Sequence, residues 1–352
     1  MGMYSLFWPL ITAFVITVLC VQLLLPLAPR LGLLDIPKGR KQHRGQVPLI
    51  GGLSVFSGVS IGLLVADPSS TMHWAFIGCA FIIVLLGALD DALDLSVGIR
   101  LLVQTLVAIA MMWLLDLHLA QLGNLFGLGN IELGWFGPPL TVLAVIAAIN
   151  AFNMTDGIDG LAGSLSVLTM LALSFFMLMW GQPDDALLPL LMIAALLPYL
   201  AANLRCFGLP KVFLGDAGSM LIGLMVIWLL LQGSQSAESS FRPVTALWII
   251  AIPLLDMAVI MIRRLRKGQS PFKADREHLH HISLRLGLAP RQALLFILGL
   301  AGTAASLGAL AEYLLLPESL MLVLFLLLAA AYFMVLSNVW RILSAVRKRR
   351  LG

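Results

Sequence analysis

The stretch NAFNMTDGIDGL, which begins at Asn150, carries two amides and two carboxylates between two long apolar segments. Asn153 and Asp156 are three residues apart, as are Asp156 and Asp159, so each pair shares a face if a helix extends this far. Burying such groups beside hydrocarbon costs roughly several kcal/mol each unless something pairs with them. Two glycines in the stretch permit close approach of backbone N–H groups to an anion. A purely structural loop is the alternative, but the density of polar groups favours a binding site.

Two more acidic groups lie beside apolar segments. In GALDDALDLSVGIR, Asp90, Asp91 and Asp94 fall within five residues. Helix capping explains one aspartate well, whereas three so close repel each other unless a cation or basic group is near. In KVFLGDAGSMLIG, Asp216 stands between two glycines, a pattern that also makes an ordinary turn. The first group therefore favours function, and the second is ambiguous alone.

A long basic segment, RRLRKGQSPFKADREHLHH, starts at Arg263. Much of its charge is explained by the general excess of Lys and Arg in cytoplasmic loops. Its histidines are harder to explain as surface residues, because His278 and His281 share a helical face and His280 lies between them. A zinc site is conceivable, but no cysteine is near in sequence and the other groups offer hard oxygen ligands. Mg²⁺ or Mn²⁺ sharing a diphosphate fits those ligands better.

The composition shows in which environment these residues lie. Of the 352 residues, 60% are hydrophobic and 11% are charged, whereas an ordinary soluble domain has roughly 25% charged residues. The mean hydropathy is +1.00. We therefore expect an all-α, polytopic integral membrane protein. The first apolar run is too long for a signal-peptide core, and three widely spaced cysteines imply no disulfide framework.

Hydropathy predicts about eleven transmembrane helices. They lie near 4–28, 50–66, 73–89, 99–117, 139–153, 162–180, 187–203, 217–233, 244–262, 292–313 and 319–340. With these spans every Lys and Arg except Arg242 falls on one side, which predicts a periplasmic N-terminus and a cytoplasmic C-terminus. Residues 1–340 are predicted to form one transmembrane catalytic domain, followed by a basic cytoplasmic tail at 341–352. The outer connections are short, apart from a segment between Asp116 and Pro139 that predicts a small hairpin on the bilayer surface.

The three acidic segments and the basic segment with the histidines are all predicted to lie on the cytoplasmic side. Carboxylates and amides suit a metal, and basic and imidazole groups suit phosphate, so the pattern indicates transfer of a phosphorylated group to a membrane-embedded acceptor. An ion-coupled transporter is the main alternative, because Asp256 lies inside the ninth span and intramembrane acids often mark ion paths. A scaffold protein leaves the one-sided clusters unexplained. The basic balance reflects membrane topology, and nucleic acid is not an expected partner.

The motifs resemble those of the polyprenyl-phosphate N-acetylhexosamine-1-phosphate transferases, most closely the bacterial members that transfer GlcNAc-1-phosphate to undecaprenyl phosphate. They run in order along nearly the whole chain: PLIGG from Pro48, GALDD from Gly87, NAFNMTDGIDGL, VFLGDAGS from Val212, VTALWIIAIPLLDM from Val244, RRLRKGQSPF and HLHH. Relatives that transfer phospho-MurNAc-pentapeptide have a longer histidine motif ending in acidic sequence, from which HLHHISLR departs. The GlcNAc enzymes are therefore favoured, with the MurNAc-pentapeptide and other UDP-HexNAc enzymes as alternatives.

The resemblance implies that UDP-GlcNAc reacts with undecaprenyl phosphate to give undecaprenyl-diphospho-GlcNAc and UMP. This is the first membrane step of O-antigen synthesis, which belongs to lipopolysaccharide biosynthesis, and of enterobacterial common antigen synthesis. The resemblance also implies Mg²⁺ as the cofactor, with Mn²⁺ as an alternative. It further implies a location in the lipid bilayer of the bacterial inner membrane, an active site facing the cytoplasm, and a homodimer as a candidate assembly.

The matched motifs also imply roles for individual residues. Metal binding is implied for Asn153 and Asp216. A catalytic role is implied for Asp90, Asp91, Asp156 and Asp159, the first two near the lipid phosphate. Asp159 and Phe213 also match the positions where related enzymes hold the uracil. Substrate binding is implied for Phe213, Lys211, His278, His280, His281, Arg264 and Lys41. Support behind these side chains is expected from Asn150, Asp94 and Asp256.

The acceptor chemistry suggests what the two acids of GALDD do. A phosphate monoester has a second pKa near 6 and is mostly a dianion at neutral pH, so a strong general base is hardly needed. Bringing this dianion against a diphosphate is the larger obstacle, which Mg²⁺ and basic side chains reduce by charge neutralisation. Asp90 and Asp91 are therefore expected to orient the acceptor, or to hold a proton or metal, more than to abstract a proton. A two-step scheme with a carboxylate nucleophile is the alternative.

Overall fold

The computed structural model describes residues 3–36, 45–180, 183–236, 238–271 and 277–338. Lys41 and the basic tail at 341–352 lie outside the described residues. The described helices are α1 (Met3–Leu24), α2 (Gly51–Ala66), α3 (Thr71–Leu93), α4 (Val97–Leu115), α5 (Gly137–Thr155), α6 (Leu161–Trp180), α7 (Leu187–Asn203), α8 (Gly215–Gln235), α9 (Pro243–Ile249), α10 (Ala251–Arg266), α11 (Leu279–Arg285), α12 (Pro290–Tyr313) and α13 (Glu318–Ser337). Two short strands, β1 (Leu34–Asp35) and β2 (Val47–Pro48), pair antiparallel, with Leu34 opposite Pro48.

The all-α, polytopic class is confirmed. Among the described helices, nine are long and apolar enough to cross a membrane, and the bent pair of α9 and α10 adds a tenth. Helix α2 is also apolar but has 16 residues, fewer than the roughly 20 that a span perpendicular to the bilayer needs. These elements correspond one to one with the predicted spans. The side of the membrane that each helix end faces stays a prediction.

The span predicted near 244–262 consists of two helices, α9 and α10, bent by 82° at Ile250. Pro253 explains where the break falls, because proline has no backbone N–H and its ring clashes with the carbonyl one turn earlier. In the first turn of a helix that N–H would have no intrahelical acceptor, so proline is tolerated there. Helix α10 accordingly begins at Ala251 and carries Pro253 in its first turn.

The chain divides into two compact units. The first contains Met1–Gln121 and Leu133–Phe241, with helices α1 to α8, and the second contains Leu122–Glu132 and Arg242–Gly352, with α9 to α13. This division does not test the prediction that residues 1–340 form one catalytic domain, which stays a prediction. The three acidic motifs lie in the first unit, and the histidine motif lies in the second.

Helix α8 is the central helix of the first unit. In its most apolar stretch 94% of the residues are buried, whereas this share is 67% or less in the other spans. Helices α2 and α3 cross it at glycines. A Cβ atom at Gly52 would lie 2.1 Å from the backbone nitrogen of Gly218, and one at Gly87 would lie 2.4 Å from Cα of Ala217. Carbon atoms in van der Waals contact are about 3.5–4.0 Å apart, so a side chain would prevent these crossings. The crossings bring the end of α3 to the start of α8, where two acidic motifs lie.

In the second unit, the segment between α4 and α5 contains the predicted hairpin. The N–H of Leu122 donates to the carbonyl of Ile131 at 3.0 Å, which pairs the two arms. Glu318, the first residue of α13, accepts a hydrogen bond from the backbone N–H of Asn124 at 3.1 Å and anchors one arm. The hairpin is therefore confirmed, while its position on the bilayer surface stays a prediction.

Candidate active site

Asp90 is held in a fixed position near the end of α3. One carboxylate oxygen accepts from Arg100 Nη1 at 2.7 Å, and the other accepts from the backbone N–H of Leu95 at 2.9 Å. The Asp90 side chain is only 3% exposed. A cation in the first turn of α4 is disfavoured by the helix dipole, and the ion pair with Asp90 offsets this. Sequence reasoning did not assign Arg100 to the site, although a basic residue in the first turn of a helix was an available signal.

Asp91 caps the N-terminus of α8 from the neighbouring helix. Its Oδ2 atom accepts from the backbone N–H of Asp216 at 2.8 Å and from that of Ala217 at 3.4 Å. The first N–H groups of a helix have no intrahelical acceptor and carry partial positive charge, so a carboxylate is favoured there. The cap also places Asp91 close enough to Asp216 for their two carboxylates to repel each other.

Asn153, near the end of α5, contacts the same turn of α8. Its Nδ2 atom donates to Asp216 Oδ1 at 2.8 Å and to Ser219 Oγ at 3.0 Å. No donor within the described part of the chain contacts its Oδ1 atom. The Asp216 carboxyl also interacts with that of Asp90. The ends of α3, α5 and α8 therefore gather three carboxyl groups and one amide, as the motifs predict.

The chemistry of these donors fits Mg²⁺ or Mn²⁺, which prefer carboxylate and carbonyl oxygens. Asp216 and Asn153 are the residues that would hold the ion. In the described ranges, no group of three His, Cys, Asp or Glu side chains is arranged to hold a metal. Mg²⁺ commonly takes only one or two carboxylates and completes its coordination with water and substrate phosphates, so this set is sufficient for it. The zinc alternative lacks a ligand set among these residues.

Asp159, Lys211 and Phe213 form a second cluster in the first unit. Lys211 Nζ donates to Asp159 Oδ2 at 2.6 Å and lies 4.8 Å from the centre of the Phe213 ring. The Asp159 side chain is 47% exposed, so the ion pair contributes little to stability. An aromatic face beside a carboxylate can instead take up a planar base, by stacking and by accepting hydrogen bonds from it.

Asn203, which sequence reasoning missed, fixes the two loops that carry this second cluster. Its Oδ1 atom accepts from the N–H of Gly160 at 2.6 Å, and its Nδ2 atom donates to the carbonyl of Val212 at 2.8 Å. Asn203 is 3% exposed, so losing either bond would leave a buried polar group unpaired. Gly160 has a φ of 79°, which disfavours any residue with a side chain. The signal for Asn203 was a polar residue at the end of an apolar span.

Asp156 follows directly after α5. Its side chain is exposed on one side, while the protein around the rest of it limits its hydration. This loss of hydration, and then the charges of Asp216 and Asp159, raise the pKa of Asp156 to about 7. A carboxyl group with this pKa is partly protonated at neutral pH, so it can release its proton when a cation or a substrate approaches.

Asn150 and Asp94 lie at the edge of the acidic cluster. Asn150 donates from Nδ2 to Gln104 Oε1 at 3.0 Å and to the carbonyl of Ile146 at 2.8 Å. The first of these bonds joins α5 to α4 about one turn before Asn153. Asp94 ends α3 in a left-handed conformation with a φ of 53° and is exposed. Its side chain has no hydrogen-bond partner within the described ranges. Asn150 is partly buried and its supporting role stays a prediction, while Asp94 is not brought into the cluster.

The second unit brings together the three predicted histidines and Asp256. His278 Nδ1 lies 2.7 Å from Asp256 Oδ2. The rings of His278 and His280 are parallel, with centres 5.6 Å apart, and those of His280 and His281 are 4.2 Å apart. Arg264 is buried as well and donates from Nη1 to the carbonyl of Pro271.

His280 is the least exposed of the three histidines. It is 3% exposed, and its Nε2 atom has no hydrogen bond among the described residues. Burial, and then the charges of His281 and His278, lower the pKa of His280 to about 3. The imidazole is therefore neutral at physiological pH. Its role in substrate binding stays a prediction.

Comparison with known proteins agrees with the motifs. Residues 73–234 match the family described as glycosyl transferase family 4. The undecaprenyl-phosphate alpha-N-acetylglucosaminyl 1-phosphate transferase of Salmonella typhi is 47% identical over 346 residues, which cover 97% of this chain and 94% of that protein. Enzymes of the same name from Escherichia coli strain K12 and Haemophilus influenzae are 46% and 42% identical, over 100% and 99% of this chain and 97% and 98% of theirs. The chain therefore belongs to the family of undecaprenyl-phosphate alpha-N-acetylglucosaminyl 1-phosphate transferases.

Proposed function

We propose that this phosphoglycosyl transferase moves GlcNAc-1-phosphate from UDP-GlcNAc to undecaprenyl phosphate and releases UMP. The observation that carries the proposal is the junction of α3, α5 and α8, where Asn153 bonds to Asp216 beside Asp91. Such a group of acids needs a cation, and a diphosphate donor brings one with it. The names of the relatives supply the acceptor and the sugar. Because the chain belongs to this family, neither ion transport nor scaffolding is its principal activity.

The proposed cofactor is Mg²⁺, or alternatively Mn²⁺, held by Asp216 and Asn153. When bound, the ion neutralises charge on the diphosphate. Asp90 keeps its carboxylate on Arg100 and the Leu95 N–H, so we assign it to orienting the acceptor side of the site. Asp91 is assigned to the same task because its carboxylate is fixed on the helix start.

For the donor, we propose that Phe213 stacks on the uracil while Asp159 accepts its N–H, with Lys211 holding Asp159 in place. Asp156 is proposed to become ionised on binding the nucleotide sugar and its cation. Phosphate contacts are proposed for His278, His281 and Arg264, and the roles of His280 and Lys41 stay predictions.

The proposed setting is the bacterial inner membrane, with the active site facing the cytoplasm. The chain is a multi-pass membrane protein in the described ranges, and its one-sided Lys and Arg residues support the orientation. We place the reaction at the first membrane step of O-antigen or enterobacterial common antigen synthesis. A homodimer is the proposed assembly.

The direct test is a transfer assay with purified protein in detergent, radiolabelled UDP-GlcNAc, undecaprenyl phosphate and Mg²⁺. We expect labelled lipid and an equal amount of UMP, and no product when the acceptor is omitted. Preference for UDP-MurNAc-pentapeptide as donor would instead place the chain with the alternative enzymes. Kinetics that show a ternary complex would exclude the two-step scheme.

A further inference from the structure

Asp256 is a buried carboxylate whose hydrogen bonds all come from other elements of the second unit. It lies in α10 and is 3% exposed. Its Oδ2 atom faces His278 Nδ1 at 2.7 Å, while its Oδ1 atom accepts from the N–H of Leu279 at 3.0 Å and from the hydroxyl of Tyr332 at 2.8 Å. Removing a carboxylate from water costs free energy, and a full set of hydrogen-bond donors is needed to offset that cost. The carboxylate is thus placed to act on the one side chain among them that can also bind a ligand.

The pairing decides which ring nitrogen of His278 carries hydrogen toward Asp256. A carboxylate can only accept, so Nδ1 must be the protonated nitrogen. The Nε2 atom is then the polar atom left for a ligand, and no residue of the described ranges bonds to it. His280 offers no such arrangement, because its Nε2 atom is buried and no described residue bonds to it. Of these two parallel rings, only that of His278 has a fixed orientation together with an available nitrogen.

We propose that Asp256 is a positioning residue that keeps Nδ1 of His278 protonated and, through its negative charge, lets Nε2 carry hydrogen as well and donate it to the phosphate groups of the substrate. The inference rests on the proposed function for the identity of that substrate. Tyr332 has a lesser part, because its hydroxyl fixes the orientation of the carboxylate. Partners that orient a functional histidine in this way set its tautomer as well as its direction.

Asp256→Asn tests the proposal because the amide has only one orientation that suits its surroundings. The position of Oδ1 receives two donors, from Leu279 and Tyr332, so the amide oxygen must occupy it. The NH₂ group then faces His278 and forces Nδ1 to become an acceptor, so the ring is neutral, carries its one hydrogen on Nε2 and loses the positive charge that would face the phosphate groups. We expect kcat/KM for UDP-GlcNAc to fall by about 10- to 100-fold. Asp256→Glu should recover part of this loss, since it restores an acceptor.

The second measurement is ¹⁵N NMR of histidine-labelled protein, in which His278 is assigned by the signals that vanish in His278→Gln. We expect a protonated Nδ1 in the wild type and an unprotonated Nδ1 in Asp256→Asn. Tyr332→Phe is the matched control, because it removes one donor and leaves the Asp256–His278 contact, so its loss of activity should be within about fivefold.

Three results would overturn the proposal. They are an unprotonated Nδ1 in the wild type, an Asp256→Asn variant within about twofold of wild-type activity, or equal losses in Asp256→Asn and Tyr332→Phe that match the loss of folded protein. The NMR measurement needs no turnover. A wild type without transferase activity would therefore refute the proposed function. The protonation of Nδ1 would still show whether the hydrogen bond between Asp256 and His278 exists.

Discussion

Asp256 in the second unit receives three hydrogen bonds and has a histidine as its nearest titratable partner. Asp216 in the first unit accepts one side-chain hydrogen bond, from Asn153, and interacts with the carboxyl groups of Asp90 and Asp91. Both aspartates are on helices that belong to membrane spans. The surroundings of Asp256 satisfy its charge within the protein. The surroundings of Asp216 leave a repulsion between carboxyl groups that a bound cation would relieve.

The difference separates two uses of a buried acid. A carboxylate with a complete set of donors can hold another side chain in place, as Asp256 holds His278. A carboxylate among others of the same charge is costly in the free protein, and this cost favours the binding of a metal. Asp90 stands between these cases because Arg100 balances it.

The largest effect should come from removing the charge of Asp216. Asp216→Asn is expected to lower GlcNAc-phosphate transfer by at least about a hundredfold, because the cation that neutralises the diphosphate loses a ligand. Chelation of Mg²⁺ should abolish wild-type activity, and added Mg²⁺ should restore the wild type but not the variant. Ser219→Ala, which removes only a hydroxyl bonded to Asn153, is the control and should lose no more than about fivefold. An unchanged Mg²⁺ dependence in Asp216→Asn would remove Asp216 from the ligands.

The next effect concerns Asp90, the acid with its own cation. Asp90→Asn is expected to lower the rate about 10- to 100-fold, by a factor that stays constant between about pH 6 and 9, because an acid held by Arg100 and a backbone N–H orients rather than abstracts a proton. The measurement is the ratio of variant to wild-type rates across this range. A deficit that shrinks as the pH rises would instead assign proton abstraction to Asp90.

Thermal stability should change in opposite directions in the two units. Without Mg²⁺, Asp216→Asn is expected to raise the unfolding temperature by about 2–4 °C, since it relieves repulsion worth about 1 kcal/mol. Asp256→Asn should lower that temperature, because a buried hydrogen bond to a carboxylate is replaced by a weaker one between neutral groups. Unfolding in detergent with a chelator measures both. A shift of the same sign in the two variants would contradict the contrast between the two acids.

The last effect is a pH dependence and concerns His280, whose buried Nε2 atom has no hydrogen bond within the described ranges. Its pKa in the folded protein is about 3, below the ordinary value of 6.5, so between these values the unfolded chain binds a proton that the folded chain does not. Stability contributed by neutral His280 is therefore present above about pH 6.5 and is lost as the pH falls, by up to about 1.4 kcal/mol per unit. His280→Asn should show a shallower decline in unfolding temperature between about pH 7.5 and 5. Parallel curves would show that folded His280 takes up the proton.

Several features of the site were predictable because their cause is local. The acids of GALDD, the amides and acids after α5, and Asp216 follow apolar runs whose length and pattern locate helix ends. Other members were hidden because their partners are distant in sequence. Asn203 bonds to Gly160, 43 residues away, and Tyr332 bonds to Asp256, 76 residues away. Neither residue type nor spacing indicates such a contact.

The amino-acid sequence by itself determined the membrane class, the positions of the apolar segments and the three acidic groups, because hydrophobicity and polar density are properties of short segments. The tertiary structure decided how the acids divide their tasks. Helix crossings at Gly52 and Gly87 bring the acids together, and the donors around each carboxylate come from other helices. An acid paired with Arg100, one capping α8, and one holding His278 look alike in sequence, because what distinguishes them is the charge and hydrogen bonding that folding places around them.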